Sequence, residues 1–232
     1  MKKLFVFLLA ALLLLPAAVP AQEAWQRPWN KEQGCTYVAF GRYPHLADGT
    51  EAPIVWRVLE TVDGVVYLMS EYILEVSKLH HDAQRYPGWD KADLNAWLQN
   101  DFVEKAFDEG EAAALSETAE GIVSLPSSDD LKNKAFGLGT DLTRRTIGTP
   151  WADAQGLFFY RHKKHSPYWT RTPSDRPHAH RTIKLEGNLG YLGVTNSDMG
   201  IRPVIWLQAD MVEVSGGSGT LADPYVLVVR PE

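Results

Sequence analysis

Asp63-Gly64 stands between two apolar runs, APIVWRVLET (Ala52 to Thr61) and VVYLMSEYIL (Val65 to Leu74). Asp-Gly accepts the positive φ angles of a type I′ turn, whose twist matches two antiparallel strands. The pair therefore fixes an antiparallel hairpin early in the folded body. YVAFGRYP (Tyr37 to Pro44) alternates and predicts a strand before it. TIKLEG, YLGVTN, IRPVIWLQ and YVLVVRP predict more strands in the last third, separated by Gly, Asn and Asp. VSGGSGTLADPY has neither a lysine nor a following helix, so it reads as a turn and not as a phosphate loop.

The period changes at Trp89. In DKADLNAWLQNDFVEKAF, Leu94, Trp97, Leu98 and Phe102 recur at helical spacing. Asp90 is the expected N-cap, Asp93 sits in the first turn, and Gly110 marks the end. Glu111 to Glu120 reads as a short helix or a loop, and EGIVSLPSSDDL as a short strand ending at Pro126. In GTPWADAQG, Thr149 caps a short helix, Pro150 takes its first position and Gly156 ends it. Strands, then helices, then strands predict an α+β fold with a mostly antiparallel twisted sheet and two or three helices inserted mid-chain.

MKKLFVFLLAALLLLPAAVPAQ opens with Lys2 and Lys3, continues apolar from Leu4 to Leu15, and offers small residues before Ala21. That is the pattern of a secretory signal peptide over 1–21, too short and too proline-broken for a spanning helix of roughly 20 residues. Residues 22–35 read as an N-terminal tail and 36–232 as a single α+β domain, large enough to bury roughly 70% of its chain surface. The expected location is secreted or periplasmic, with no membrane insertion once the leader is removed. Cys35 is the only cysteine, so no internal disulfide exists and the hydrophobic core must carry the fold. The net charge is −6, and losing the leader removes two lysines and no acids. That balance argues against nucleic acid and anionic membrane surfaces.

YWTRTPSDRPHAHR (Tyr168 to Arg181) concentrates aromatics, arginines and histidines. One reading is scaffold: Trp169 packs on the helix carrying Trp97, and Arg171 and Arg202 tie elements together through planar guanidinium groups. The other is a recognition surface, because aromatic faces and planar donors suit sugars and carboxylates. His178 and His180 would share one strand face, and His162 and His165 one helix face, which is metal-compatible. The positive charges of RHKKH oppose a cation there. His80-His81-Asp82 would offer one histidine only if it lay on a strand. No nucleophile or metalloprotease motif occurs, and no cofactor is expected.

The ordered set FGRYP, PIVWRVLE, YLMSEYIL, LNAWLQNDFVEKAF, YWTRTP and GIRPVIWL resembles a bacterial family catalogued as domain of unknown function 6273. Its members read F-G-x-Y-P, P-I-x-W-x-V-L, L-L-S, W-L-N-x-x-F, Y-W-L-R-S-P and G-V-R-P-A-L in this order. The resemblance runs from about Phe40 to Leu207. A fainter similarity links the tryptophan segment, short meander and G-x-R-P to C-type-lectin-like domains, including the formylglycine-generating branch. It implies an α+β lectin-like fold. The cysteines of formylglycine-generating enzymes and the E-P-N, Q-P-D and W-N-D strings of calcium-dependent lectins are not present.

These observations lead to an expectation of a ligand-recognition domain for a glycan or other cell-envelope component. Trp151, Tyr168, Arg171, Asp175, Arg176 and His178 are its expected contacts, and Trp97, Trp169 and Arg202 its supports. A protein–protein module is the first alternative and a histidine-based metalloenzyme the second. If the leader is read correctly, intact-mass analysis of the exported protein will show an N-terminus at Gln22. A mature mass that retains residues 1–21 would show an uncleaved segment.

Overall fold

The chain enters its larger sheet through β1 (Tyr37–Pro44), then turns from β2 (Glu51–Val62) into β3 (Val65–Ser70). Asp63 and Gly64 make that turn at φ 50° and 78°, as a type I′ hairpin requires. The computed structural model describes residues 24–159 and 165–231. The leader expected over 1–21 and the histidine at 162 lie outside the described residues. No helix among the described residues is long and apolar enough to cross a membrane.

Both sheets are mixed but mainly antiparallel. The small one contains β4 (Glu75–Val76), β6 (Tyr168–Pro173), β7 (Ala179–Ile183), β8 (Leu189–Gly193) and β9 (Gly200–Ile201), in the order β4-β9-β6-β7-β8. The large one adds β5 (Val123–Ser124), β10 (Val204–Gln208), β11 (Val212–Gly216) and β12 (Tyr225–Val229), in the order β11-β12-β1-β2-β3-β10-β5. β1 pairs with β12 in parallel, and β6 with β9.

VVYLMS in β3 is apolar almost throughout because both faces of the large sheet are covered. Val66 and Leu68 face one core with Phe40, Trp56, Val58 and Ile205, while Tyr67 and Met69 face a second with Phe136, Leu157, Tyr168 and Ile183. Alternation along a strand thus fills two cores. The mid-chain helix covers the first. It runs as α1 (Asp93–Trp97), a π-helical turn (Leu98–Phe102) and α2 (Val103–Ala106). Leu94, Leu98 and Phe102 are at most 2% exposed, and each contributes about 1.5–3 kcal/mol by burial. Gly41 in FGRYP sits at a register shift of β1 with φ 67°, and a Cβ there would lie 2.6 Å from the Phe107 ring. Only glycine satisfies both limits.

Three short helices follow: α3 (Glu109–Ala113), α4 (Asp141–Arg144) and α5 (Pro150–Ala154). Thr149 caps α5 through Ala152 N–H, as its sequence predicts. Asp90 does not cap the long helix. It lies in a 3-10 turn, Trp89–Lys91, and the N-cap is Ala92. Gly110 does not end it either. Phe107 is already extended, and Gly110 falls inside α3, which Asp108 and Glu111 cap reciprocally. The expected tail is also part of the body: Trp25 is fully buried in the first core, and Thr61 donates to the Gln26 carbonyl. A tryptophan in a polar stretch supplies enough apolar area to anchor it.

A buried polar knot joins the two sheets. Glu71, just after β3, accepts two 2.9 Å bonds from Arg57 of β2 and a 3.4 Å bond from Arg202. Arg202, 1% exposed, also donates to the Ser70 carbonyl at 2.7 Å and lies within hydrogen-bond distance of Tyr168 Oη, at 3.4 Å. Tyr168 in turn donates to the Arg144 carbonyl at 2.9 Å. Removing the shared carboxylate would leave two largely buried cations uncompensated. Glu71→Ala is therefore expected to cost about 3–5 kcal/mol, read as a fall in the urea midpoint with little change of slope. A loss below about 1 kcal/mol, as for an exposed pair, would show that the knot is not essential.

Candidate functional site

Four residues on one side of the long helix are spaced by four: Asp93, Trp97, Asp101 and Lys105. On a regular helix such a row drifts around the axis, since a turn takes 3.6 residues. The π-helical turn over Leu98–Phe102 is wider and counters that drift. The row therefore forms one wall of a groove of about 390 Å³, with Glu75, Val76, Ser77 and Lys78 opposite and Tyr43 and Ile201 also lining it. The volume lies in the range of small-molecule sites.

Glu75 organises one end. Its Oε2 accepts from Tyr43 Oη at 2.9 Å and from Trp151 Nε1 at 3.1 Å. Lys105 Nζ lies 4.7 Å from the Tyr43 ring centroid and 5.4 Å from that of Trp151. Burial, with the Glu75 charge beside it, pushes the Tyr43 phenol far above its ordinary range, so it stays a donor. From behind, Trp169 donates to the Ser77 carbonyl at 2.9 Å and holds the opposite wall in place.

Asp93 organises the other end. It lines the groove and also meets two histidines from the loop after β4: His80 Nδ1 is 3.1 Å from Oδ1 and His81 Nδ1 is 2.6 Å from Oδ2. Partial desolvation would raise the Asp93 carboxyl, but hydrogen bonds from the His81 ring and backbone, with the charges of both rings, hold it below its usual range. The expectation that only one of His80 and His81 serves a common site is overturned. The segment is a loop and not a strand, and the two rings lie 4.6 Å apart.

The residues expected from the Tyr168–Arg181 stretch do not form one surface. Tyr168 is fully buried beneath Arg202, so it cannot contact a ligand at the surface. Arg171 turns inward: it pairs with Glu120 at 3.3 Å and Asp130 at 3.2 Å and donates to the Leu125 carbonyl at 2.7 Å. That is the scaffold reading. Asp175, Arg176 and His178 are exposed on the β6–β7 connection. There Arg176 lies 3.7 Å over the Tyr191 ring, Arg181 bonds Asp175 at 3.4 Å, and the His178 ring meets the Ala83 carbonyl. Tyr191 lines a second cleft of about 330 Å³ with Phe158, Thr182 and Met199. Its lining is mainly apolar, with Lys184, Glu186 and Asp198 also reaching it.

Trp151 alone among the expected contacts adjoins the groove. Trp97, expected as a support, packs at the edge of the first core and lines the groove. Trp169 and Arg202 are buried supports, as expected. Tyr43, Glu75, Asp101 and Lys105 were missed. The four-residue spacing from Asp93 to Lys105 was the available signal, but the apolar period of the same helix masked it.

Among the described residues, the histidines of that reading do not converge as a metalloenzyme site needs. His178 sits in a turn at φ 61°, before β7, so it does not share a strand face with His180. His180 is fully buried, with Nδ1 2.9 Å from Tyr86 Oη and its ring 6.2 Å from that of Trp89. Among the described residues, the metal-compatible group is His80, His81 and Asp93.

A family model for a domain of unknown function (DUF6273) matches residues 63–209, more than half the chain. No curated protein and no solved structure matches.

Burial pushes the His180 imidazole down to about 4, against the backbone groups of Thr170 and Arg171, which would raise it. Between about pH 6.5 and 4 the unfolded chain takes up this proton and the folded chain does not. Stability from this group is thus present above pH 6.5 and falls as pH drops toward 4, by about 3 kcal/mol. Urea titrations at a series of pH values should show this acid limb, and His180→Gln should flatten it. An unchanged slope in the variant would mean that other groups carry it.

Proposed function

The chain belongs to the DUF6273 family, and on that footing we propose that it is a secreted or periplasmic recognition domain that binds a carbohydrate or cell-wall fragment in the groove between β4 and the long helix. One observation carries this reading: Trp97 and the Tyr43 ring share a groove with the carboxylates of Glu75, Asp93 and Asp101 and the ammonium groups of Lys78 and Lys105. A sugar ring presents an apolar C–H face and a rim of hydroxyls. The first suits an indole face and the second suits charged acceptors and donors. Opposite charges on facing walls also suit the carboxylates and amines of peptide-bearing wall fragments. The fixed bonds of Glu75 mean that little reorganises on binding, which favours affinity.

The same reading takes the fold as C-type-lectin-like. The support is its layout, with helices inserted mid-chain between two sets of strands and the first and last strands side by side. A second reading is an extracellular protein–protein module. The observation that favours it is an exposed apolar pair, Ile147 and Phe159, which are 44% and 52% exposed and flank one depression.

A glycan-array and muropeptide screen of residues 22–232 tests the groove. Saturable binding should weaken roughly tenfold or more in Trp97→Ala and in Lys105→Ala, a loss of about 1.4 kcal/mol or more. Arg176→Ala, on the β6–β7 connection, should leave it unchanged. Binding lost only in Arg176→Ala would return the site to that connection. No binding to any saccharide, with a partner captured through Ile147 and Phe159, would favour the protein module.

A further inference from the structure

We propose that His80, His81 and Asp93 form a binding site for a divalent first-row transition metal, with zinc the ion that the donors suit best. The proposal does not depend on what the groove binds. One ring nitrogen of each histidine and a carboxylate oxygen all lie within 4.8 Å of one another. Imidazole nitrogen and carboxylate oxygen are donors that zinc accepts, and three protein ligands leave its fourth tetrahedral position open. Asp93 lines the groove, so that open position lies at the groove's end.

Two donors on a tetrahedral zinc, each at 2.0–2.1 Å, stand roughly 3.3 Å apart. The His80 and His81 nitrogens are 3.1 and 2.6 Å from the two Asp93 oxygens, near that separation. The donors are also held in advance. His80 is 5% exposed and its ring packs 5.8 Å from that of Tyr86. The His81 backbone N–H donates to Asp93 Oδ2 at 2.8 Å, which fixes the carboxylate.

The Asp93 N–H approaches His80 Nδ1 at 3.3 Å, and the same nitrogen stands 3.1 Å from Asp93 Oδ1. When that nitrogen is unprotonated, its lone pair lies beside the carboxylate, the donor pair that a cation takes. Metal binding would then compete with protons on both rings.

The test uses residues 22–232 made without a histidine tag and stripped with a chelator. Titration with Co²⁺ should give the visible absorption of a tetrahedral site at one equivalent, and Zn²⁺ should displace it. His81→Ala and Asp93→Asn should each weaken uptake by more than the roughly tenfold to hundredfold that loss of an outer partner costs. The His81 side chain is 62% exposed, so that variant keeps the fold even if Asp93→Asn does not. His178→Ala and Trp97→Ala should take up metal as the parent does. No uptake by the folded parent, or unchanged uptake in His81→Ala, overturns the site. Sugar binding is read separately, through Trp97→Ala.

Discussion

Glu71 holds the molecule together because two arginines from distant parts of the chain share its carboxylate. Arg57 arrives from β2 and Arg202 from the loop before β10, and each meets the chain immediately after β3. Such a group is costly to bury, and its Coulomb energy does not by itself imply net stability. What it supplies is direction. A guanidinium offers donors in a rigid plane, so Arg202 is satisfied only when carboxylate, Ser70 carbonyl and Tyr168 hydroxyl stand in one arrangement, and Arg57 only when the same carboxylate meets it with both oxygens. The large sheet, the small sheet through Tyr168, and α4 through the Arg144 carbonyl are registered by the same few bonds.

The groove inherits that registration. β4 begins four residues after Glu71, and its pairing with β9 places Glu75 opposite Ile201, next to Arg202. Trp169, adjacent to Tyr168, then reaches through to the Ser77 carbonyl. One wall is therefore tied to the polar knot by short chain segments. The facing wall is the helix, seated by Leu94, Leu98 and Phe102 and straightened along its polar row by the π-helical turn. Side chains on such a scaffold are held by rigid elements, which keeps their geometry narrow.

Local signals were read where local physics decides. The Asp63-Gly64 hairpin, the strand at Tyr37–Pro44 and the Thr149-Pro150 helix start each depend on a few neighbouring residues, and each is present. The seat of Trp25 in the core is set by residues distant in sequence, and its polar neighbours hid it. The arginines were ambiguous for the same reason: only the fold decides whether a guanidinium faces a carboxylate or solvent. The loaded Tyr168–Arg181 stretch proved mostly structural at its strand end, because a strand between two neighbours turns alternate side chains into the core. The groove was assembled from β1, β4, the helix and β9, so no single stretch contained it.

The parallel pairing of β1 with β12 has a consequence for how the protein is made. Val38 and Ala39 face Tyr225 and Val226 across nearly the whole sequence. Of these strands β12 is made last, and until it is in place one side of β1 has no partner. An unpaired strand edge is a template for joining another chain. Long-range closure of this kind also comes late and slowly. That side of the large sheet therefore stays open until β12 has been made, and the interval is one in which a holding chaperone has a physical reason to act.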